Sequence, residues 1–129
     1  MTKLTNQKAF NKTAKHLLTQ RKKSESEEGG CLYRGPDSTK CAIGCLIPNK
    51  LMSMKLNDLN IVELKAKGGP EIKQLFEQCD PVFLVGLQGI HDSFTVGSWA
   101  KQLKKLGQEY GLDISVIKKT LDSLKEGQS

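Results

Sequence analysis

The side chains best suited to chemistry in this chain are Cys31, Cys41, Cys45, Cys79, His91 and Asp92. Zinc takes four sulfur and nitrogen donors in a tetrahedron. Cys31, Cys41 and Cys45 could supply thiolates to such an ion, with Cys79 or His91 brought in by folding as the fourth ligand. Nine residues separate the first two cysteines and three separate the next pair, and no Cys-x2-Cys knuckle occurs anywhere. The plainer reading is that these cysteines serve as small hydrophobes, because Cys41, Ala42, Ile43, Cys45, Leu46 and Ile47 read as core. A cysteine beside His91-Asp92 could instead form a nucleophilic site. Against it, His91 near a helix C-terminus gains from the macrodipole and Asp92 can simply begin the next turn. No catalytic residue is assigned. No phosphate-cradling loop follows Gly68-Gly69, and there is no paired-carboxylate or His-Glu-x-x-His pattern.

A second kind of chemistry lies in the charge. The chain carries a formal +6, and residues 1 to 23 hold seven Lys/Arg and no carboxylate, followed by Glu25, Glu27 and Glu28. Lys8, Lys12, Lys15, Arg21, Lys22 and Lys23 are therefore the candidate partner-binding surface, complementary to an acidic protein or to nucleic acid. Near the other end, Gln102 to Leu121 resembles a helix-turn-helix, with Gly107 where the helices touch and Gly111 in the turn. Its second helix would offer Ser115, Lys118 and Lys119 to a groove of DNA, a set that grips phosphates better than it reads bases. Thr120 is polar where that pattern wants an apolar residue, and an ordinary helical hairpin uses the same glycine turn. With four Phe, two Tyr and one Trp, an aromatic platform for stacked bases is not expected.

The elements that must position these residues are mainly helical. A first amphipathic helix runs from Thr5 to about Thr19, its stripe of Phe10, Ala14, Leu17 and Leu18 turned inward and its wet side basic. His16 falls on the wet side and is read as solvated. Residues 20–30 read as an exposed linker ending in Gly-Gly. Cys31 to Ile47, with its Gly-Pro-Asp-Ser turn signal, reads as a small β-hairpin or an irregular loop. Short helices follow near Asn57 to Lys67 and at Glu71 to Cys79. Asp80-Pro81 opens a helix over Val82 to Ile90 that is apolar on nearly every side and so is central, with Gly86 and Gly89 marking a close neighbouring backbone. Thr95 caps a helix carrying Trp99, Leu103, Leu106 and Tyr110. Asp113 then caps a last helix whose inner face is Ile114, Ile117, Leu121 and Leu124, and a frayed tail occupies 126–129.

The fold class expected is a compact, mainly α single domain over residues 1–129. The longest apolar stretch, Pro81 to Ile90, is half the roughly 20 residues a membrane span needs. No span and no signal peptide are expected, which places the chain in the cytoplasm with free thiols or a metal.

The segments Gly30-Cys31-Leu32-Tyr33-Arg34-Gly35-Pro36 and Lys40-Cys41-Ala42-Ile43-Gly44-Cys45-Leu46-Ile47-Pro48, with Ile90-His91-Asp92 and Trp99, resemble parts of small uncharacterised proteins of tailed phages and bacterial genomes. That resemblance implies a setting rather than an activity: a small phage protein in a bacterial cytoplasm that occupies the surface of a host protein. The function expected is thus a non-enzymatic binding module acting through a basic face. The alternatives are helix-turn-helix-like DNA or RNA binding, and a cysteine- or zinc-dependent enzyme.

Overall fold

The computed structural model describes residues 3–27, 30–53, 56–57 and 59–126. Six α-helices account for the architecture: α1 (Asn6–Gln20), α2 (Ile61–Lys67), α3 (Pro70–Phe76), α4 (Pro81–Ser93), α5 (Trp99–Glu109) and α6 (Ser115–Glu126). The mainly helical class expected from the sequence is found, with no strand among the described residues.

The helix ends follow from local chemistry. Thr5 accepts the Lys8 N–H at the start of α1, and Asp80 accepts the Val82 N–H in front of Pro81 at the start of α4. Asn60 and Glu63 close a reciprocal capping box on α2, so that helix starts at Ile61 and not near Asn57. Asn57 instead accepts the Arg34 backbone N–H. Thr95 does not cap α5: a short 3-10 turn over Val96–Ser98 intervenes, and α5 starts at Trp99. Gly111, at φ 65°, makes the left-handed turn between α5 and α6, where the Asp113 carboxylate accepts the Ser115 N–H.

Helix α4 is central, burying Phe83, Leu84, Leu87, Ile90 and His91 against α1, α2 and α5. Each of those large apolar side chains contributes about 1.5–3 kcal/mol when fully buried. Gly86 lies against the Leu106 side chain of α5 rather than a backbone, and a Cβ on Gly89 would meet open space. A close approach that favours glycine occurs at Gly107, where a Cβ would stand 2.6 Å from Ile114 Cγ2 and 2.9 Å from Phe10 Cζ. There α1, α5 and α6 converge. Gln7 secures the same corner, its amide donating to the Asp113 carbonyl and accepting the Asp113 N–H, both at 2.9 Å.

Residues 31–47 form no hairpin. They run as an irregular segment with 3-10 turns at Pro36–Ser38 and Gly44–Leu46. Cys41 to Ile47 is buried throughout, so its backbone needs partners that a two-stranded ladder would otherwise supply. Turn bonds from Cys45, Leu46 and Ile47 N–H to the carbonyls of Cys41, Ile43 and Gly44 provide some of them, and the Arg34 guanidinium adds others, donating to the carbonyls of Tyr33, Gly44 and Ile47 and to Asn49 Oδ1. The 20–30 segment is likewise not a free linker. Ser24 is fully buried, and Glu25 pairs with Cys31 in an isolated antiparallel bridge. Of the expected tail, residues 127–129 lie outside the described residues.

Candidate functional site

Two places gather the residues singled out above. The first is at the C-terminal end of α4, where Gln88, His91 and Asp92 fall at i, i+3 and i+4 and so share one helix face. The fold-back at the Glu25–Cys31 bridge delivers Cys31 to that face. His91 Nδ1 lies 2.8 Å from Asp92 Oδ1 and 3.7 Å from Cys31 Sγ. Cys31, His91 and Asp92 offer ligand atoms all within 4.8 Å of one another, a group that could hold a metal ion.

The hydrogen bonds decide what this cluster can do. The buried backbone N–H of Ser24 donates to His91 Nε2 at 2.9 Å, which occupies that nitrogen's lone pair and places the ring proton on Nδ1. Nδ1–H in turn donates to Asp92. A general base for Cys31 needs a free lone pair on the nitrogen facing the thiol, and a metal ligand needs one in the same place. Nδ1 has neither. The Gln88 amide fills the remaining space: its Oε1 accepts the Ile43 N–H at 3.0 Å, so its NH2 points at Cys31 Sγ (2.7 Å) and Asp92 Oδ1 (2.9 Å). The donor atoms are thus already engaged with one another, and an ion held by Cys31, His91 and Asp92 would have to displace the Nδ1 proton.

The electrostatics agree. The neighbouring Cys41 thiol, burial and Asp92 together push the Cys31 thiol up, away from the reactive thiolate. Burial raises the Asp92 carboxyl, but the bonds from His91, Cys31 and Gln88 outweigh it and hold the group below its ordinary value. His91 is fully buried and stacks on Trp99 with ring centroids 5.7 Å apart. Cys45 and Cys79 are elsewhere. Cys45 donates to the Ala42 carbonyl at 3.0 Å and is pushed up to about 12 by burial, while Cys79 donates to the Leu4 carbonyl at 3.4 Å. Neither completes a four-ligand set.

The second place is a groove of about 600 Å³ beside α6. Its floor is Ile114, Ile117, Leu121 and Leu124, and Arg21, Lys104, Lys118 and Lys125 stand around it with Asp122. Ser115 also lines it. The stripe expected to be the buried face of α6 is thus only partly covered. Ile117 and Thr120 are the positions that go inward, leaving Ile114, Leu121 and Leu124 half-buried. Arg21 of the N-terminal basic residues and Ser115 and Lys118 of the helix-turn-helix-like pair share this wall, whereas Lys119 is exposed outside it.

The other basic candidates are dispersed. Lys8, Lys12 and Lys15 are exposed on α1, and Lys12 and Lys15 border a separate shallow groove with Lys40. Lys22 is paired with Asp37 at 2.8 Å, and Lys23 donates to the Asp92 carbonyl at 3.4 Å. His16 is half-buried rather than solvated, with Nε2–H donating to the Lys40 carbonyl at 2.8 Å.

No family model matches the chain, and no curated protein or solved structure matches it. Among the described residues no helix is long and apolar enough to cross a membrane.

Lys104 and Lys125 were not singled out by sequence, because a groove wall assembled from three separate segments leaves no local pattern. Gln88 and Ser24 were missed too. For Gln88 a signal existed: it sits one helical turn before His91-Asp92.

Proposed function

We propose that this protein is a non-enzymatic binding module that takes an acidic, amphipathic segment of another protein into the groove beside α6. The observation that carries this reading is an apolar floor ringed by four cations and a single carboxylate. Such a wall suits a helix that lays apolar residues at i, i+3, i+4 and i+7 into a groove while its flanking carboxylates meet the rim. The volume falls in the range of about 300–1,000 Å³ typical of ligand sites. Electrostatic complementarity at the rim would speed encounter and select acidic partners. In the setting implied by the sequence resemblance, that partner is a host protein.

A nucleic acid is the weaker match. Helix α6 carries no Arg, Asn or Gln to read base edges, and four aliphatic floor residues have nothing to offer a phosphate backbone.

The test is fluorescence anisotropy of a labelled synthetic helix with leucines at helical spacing and glutamates on its flanks, run beside a labelled DNA duplex and a single strand. The peptide is expected to bind, and the double variant Lys104→Glu, Lys118→Glu to weaken it about tenfold or more, since close charge pairs at an interface are worth roughly 1.5 kcal/mol or more. Lys12→Glu with Lys15→Glu, bordering the other groove, is expected to have the smaller effect. DNA binding that falls steeply with salt, with no peptide binding, would replace this reading by the nucleic-acid one.

A further inference from the structure

We infer that the cavity beside the C-terminal half of α4 is a binding site for a small organic cation, an ammonium or amidinium on an apolar body, with Asp92 as its counter-charge. This does not depend on the α6 groove. The cavity measures about 300 Å³, at the lower end of the range of about 300–1,000 Å³ typical of ligand sites. Val85, Gln88, Gly89 and Asp92 line it from α4, where they fall at i, i+3, i+4 and i+7 and so share one face. Leu59 and Ile61 add apolar wall from the start of α2 and the segment before it.

Charge decides the kind of ligand. In a chain of formal charge +6, the groove beside α6, the shallow one at Lys12, Lys15 and Lys40, and a third at Lys65 and Lys73 are all lined by lysines. Among the described residues this cavity has no Lys or Arg on its wall and one carboxylate, Asp92. Lys23 approaches Asp92 from outside that wall, but it donates to the backbone carbonyl at 3.4 Å and not to the carboxylate. Helix α4 ends at Ser93, so the partial negative charge of its C-terminus adds to the attraction for a cation there.

The carboxylate is already oriented. The Gln88 NH2 at 2.9 Å and His91 Nδ1–H at 2.8 Å both donate to Asp92 Oδ1, which fixes the side chain. Oδ2 has no hydrogen-bond partner among the described residues, and the side chain is 38% exposed. An entering ammonium can therefore make a charge-assisted bond to Oδ2 with little further ordering of the protein. Gly89 is a second, independent observation. Glycine inside a helix costs stability, and no neighbour requires it here, since a Cβ would meet nothing within 4 Å. Its place on the cavity wall supplies the reason: a larger side chain at this position would occupy the space that a ligand needs.

The experiment titrates the isotope-labelled full chain with benzylamine and benzamidine, beside the neutral benzyl alcohol and the anion benzoate, and follows the backbone amides by NMR at neutral pH. The two cations are expected to give saturable shifts centred on Val85, Gln88, Gly89 and Asp92. They should bind about tenfold or more tighter than the alcohol or benzoate, the discrimination that a charge-assisted bond supplies. Asp92→Asn keeps an oxygen for Gln88 and His91 while removing the charge, and is expected to bring the cations down to the level of the alcohol. Gly89→Leu is expected to abolish binding without lowering the melting temperature, because leucine fills the open space and favours the helix. Benzoate binding as tightly as the cations, cation binding unchanged in Asp92→Asn, or shifts centred elsewhere would each overturn the inference. So would the lack of saturation at the cavity by about 20 mM, above the millimolar range usual for fragments this small. The wild-type comparison of cations with alcohol and benzoate stands even where a variant fails to fold.

Discussion

Replacing His91 with leucine separates a histidine that holds the fold from one that does chemistry. Leucine keeps the apolar bulk against Trp99 but removes two hydrogen bonds. One is the acceptor for the Ser24 N–H, which then has no partner in a fully buried position. An orphaned buried donor costs about 1–3 kcal/mol. The other is the bond to Asp92, whose side chain is 38% exposed, so water replaces much of it. Its loss adds about 0.5–1 kcal/mol. The expected destabilisation is therefore near 3 kcal/mol, a substantial part of the roughly 5–15 kcal/mol that holds a domain folded. At about 2.1 cal/mol/K of unfolding entropy per residue, a chain of this length melts about 10 °C lower for that loss. Circular dichroism melting and urea titration measure it. His91→Gln offers an amide oxygen near the same place and should recover part of the loss. A leucine variant melting within about 2 °C of the wild type would refute the structural assignment, because it would show that the Ser24 N–H does not rely on this nitrogen.

Two glycines in helices should respond to alanine with opposite signs. Gly89→Ala enters open space and gains about 0.5–1 kcal/mol of helix propensity, whereas Gly107→Ala drives a Cβ to 2.6 Å from Ile114 and 2.9 Å from Phe10. Overpacking of that kind costs about 1–3 kcal/mol, so urea unfolding should show stabilisation in the first and destabilisation in the second. His16 provides a pH test: burial is the largest influence on it and lowers its pKa, so folding favours the neutral ring. Its contribution is fully present above the unfolded value of about 6.5 and is lost as pH falls through that value toward the folded one, where the unfolded chain binds more protons. The fall in urea midpoint between pH 7.5 and 5 should accordingly be shallower in His16→Gln.

Much of the helical frame was legible in the sequence because its signals are local. Thr5, Asp80-Pro81, Gly111 and Asp113 act on backbone groups within a turn of themselves, so their spacing alone sets where α1, α4, α5 and α6 begin or end. The apolar period likewise put Phe10, Trp99, Leu103 and, on α4, Phe83, Leu84, Leu87 and Ile90 in the core, whereas Val82 and Val85 of that helix, expected to be buried, are exposed.

Where contacts span long separations, the sequence was silent or misleading. The 31–47 segment carried turn signals that fit a hairpin or an irregular loop; the loop is what forms, and that Arg34 bonds its Gly44 and Ile47 carbonyls is visible only once the chain has folded. Ser24 looked like linker, but it is drawn inward to His91, 67 residues away. The apolar stripe of α6 looked like a buried face, but Thr120 takes one of the inward positions and leaves Ile114, Leu121 and Leu124 half-covered beside Arg21 and Lys104. The candidate chemistry followed the same division. Cysteine and histidine residue types suggested a nucleophile or a zinc ligand set, and only the fold brings Cys31, His91 and Asp92 together and, through a backbone N–H on Nε2, places the ring proton on Nδ1.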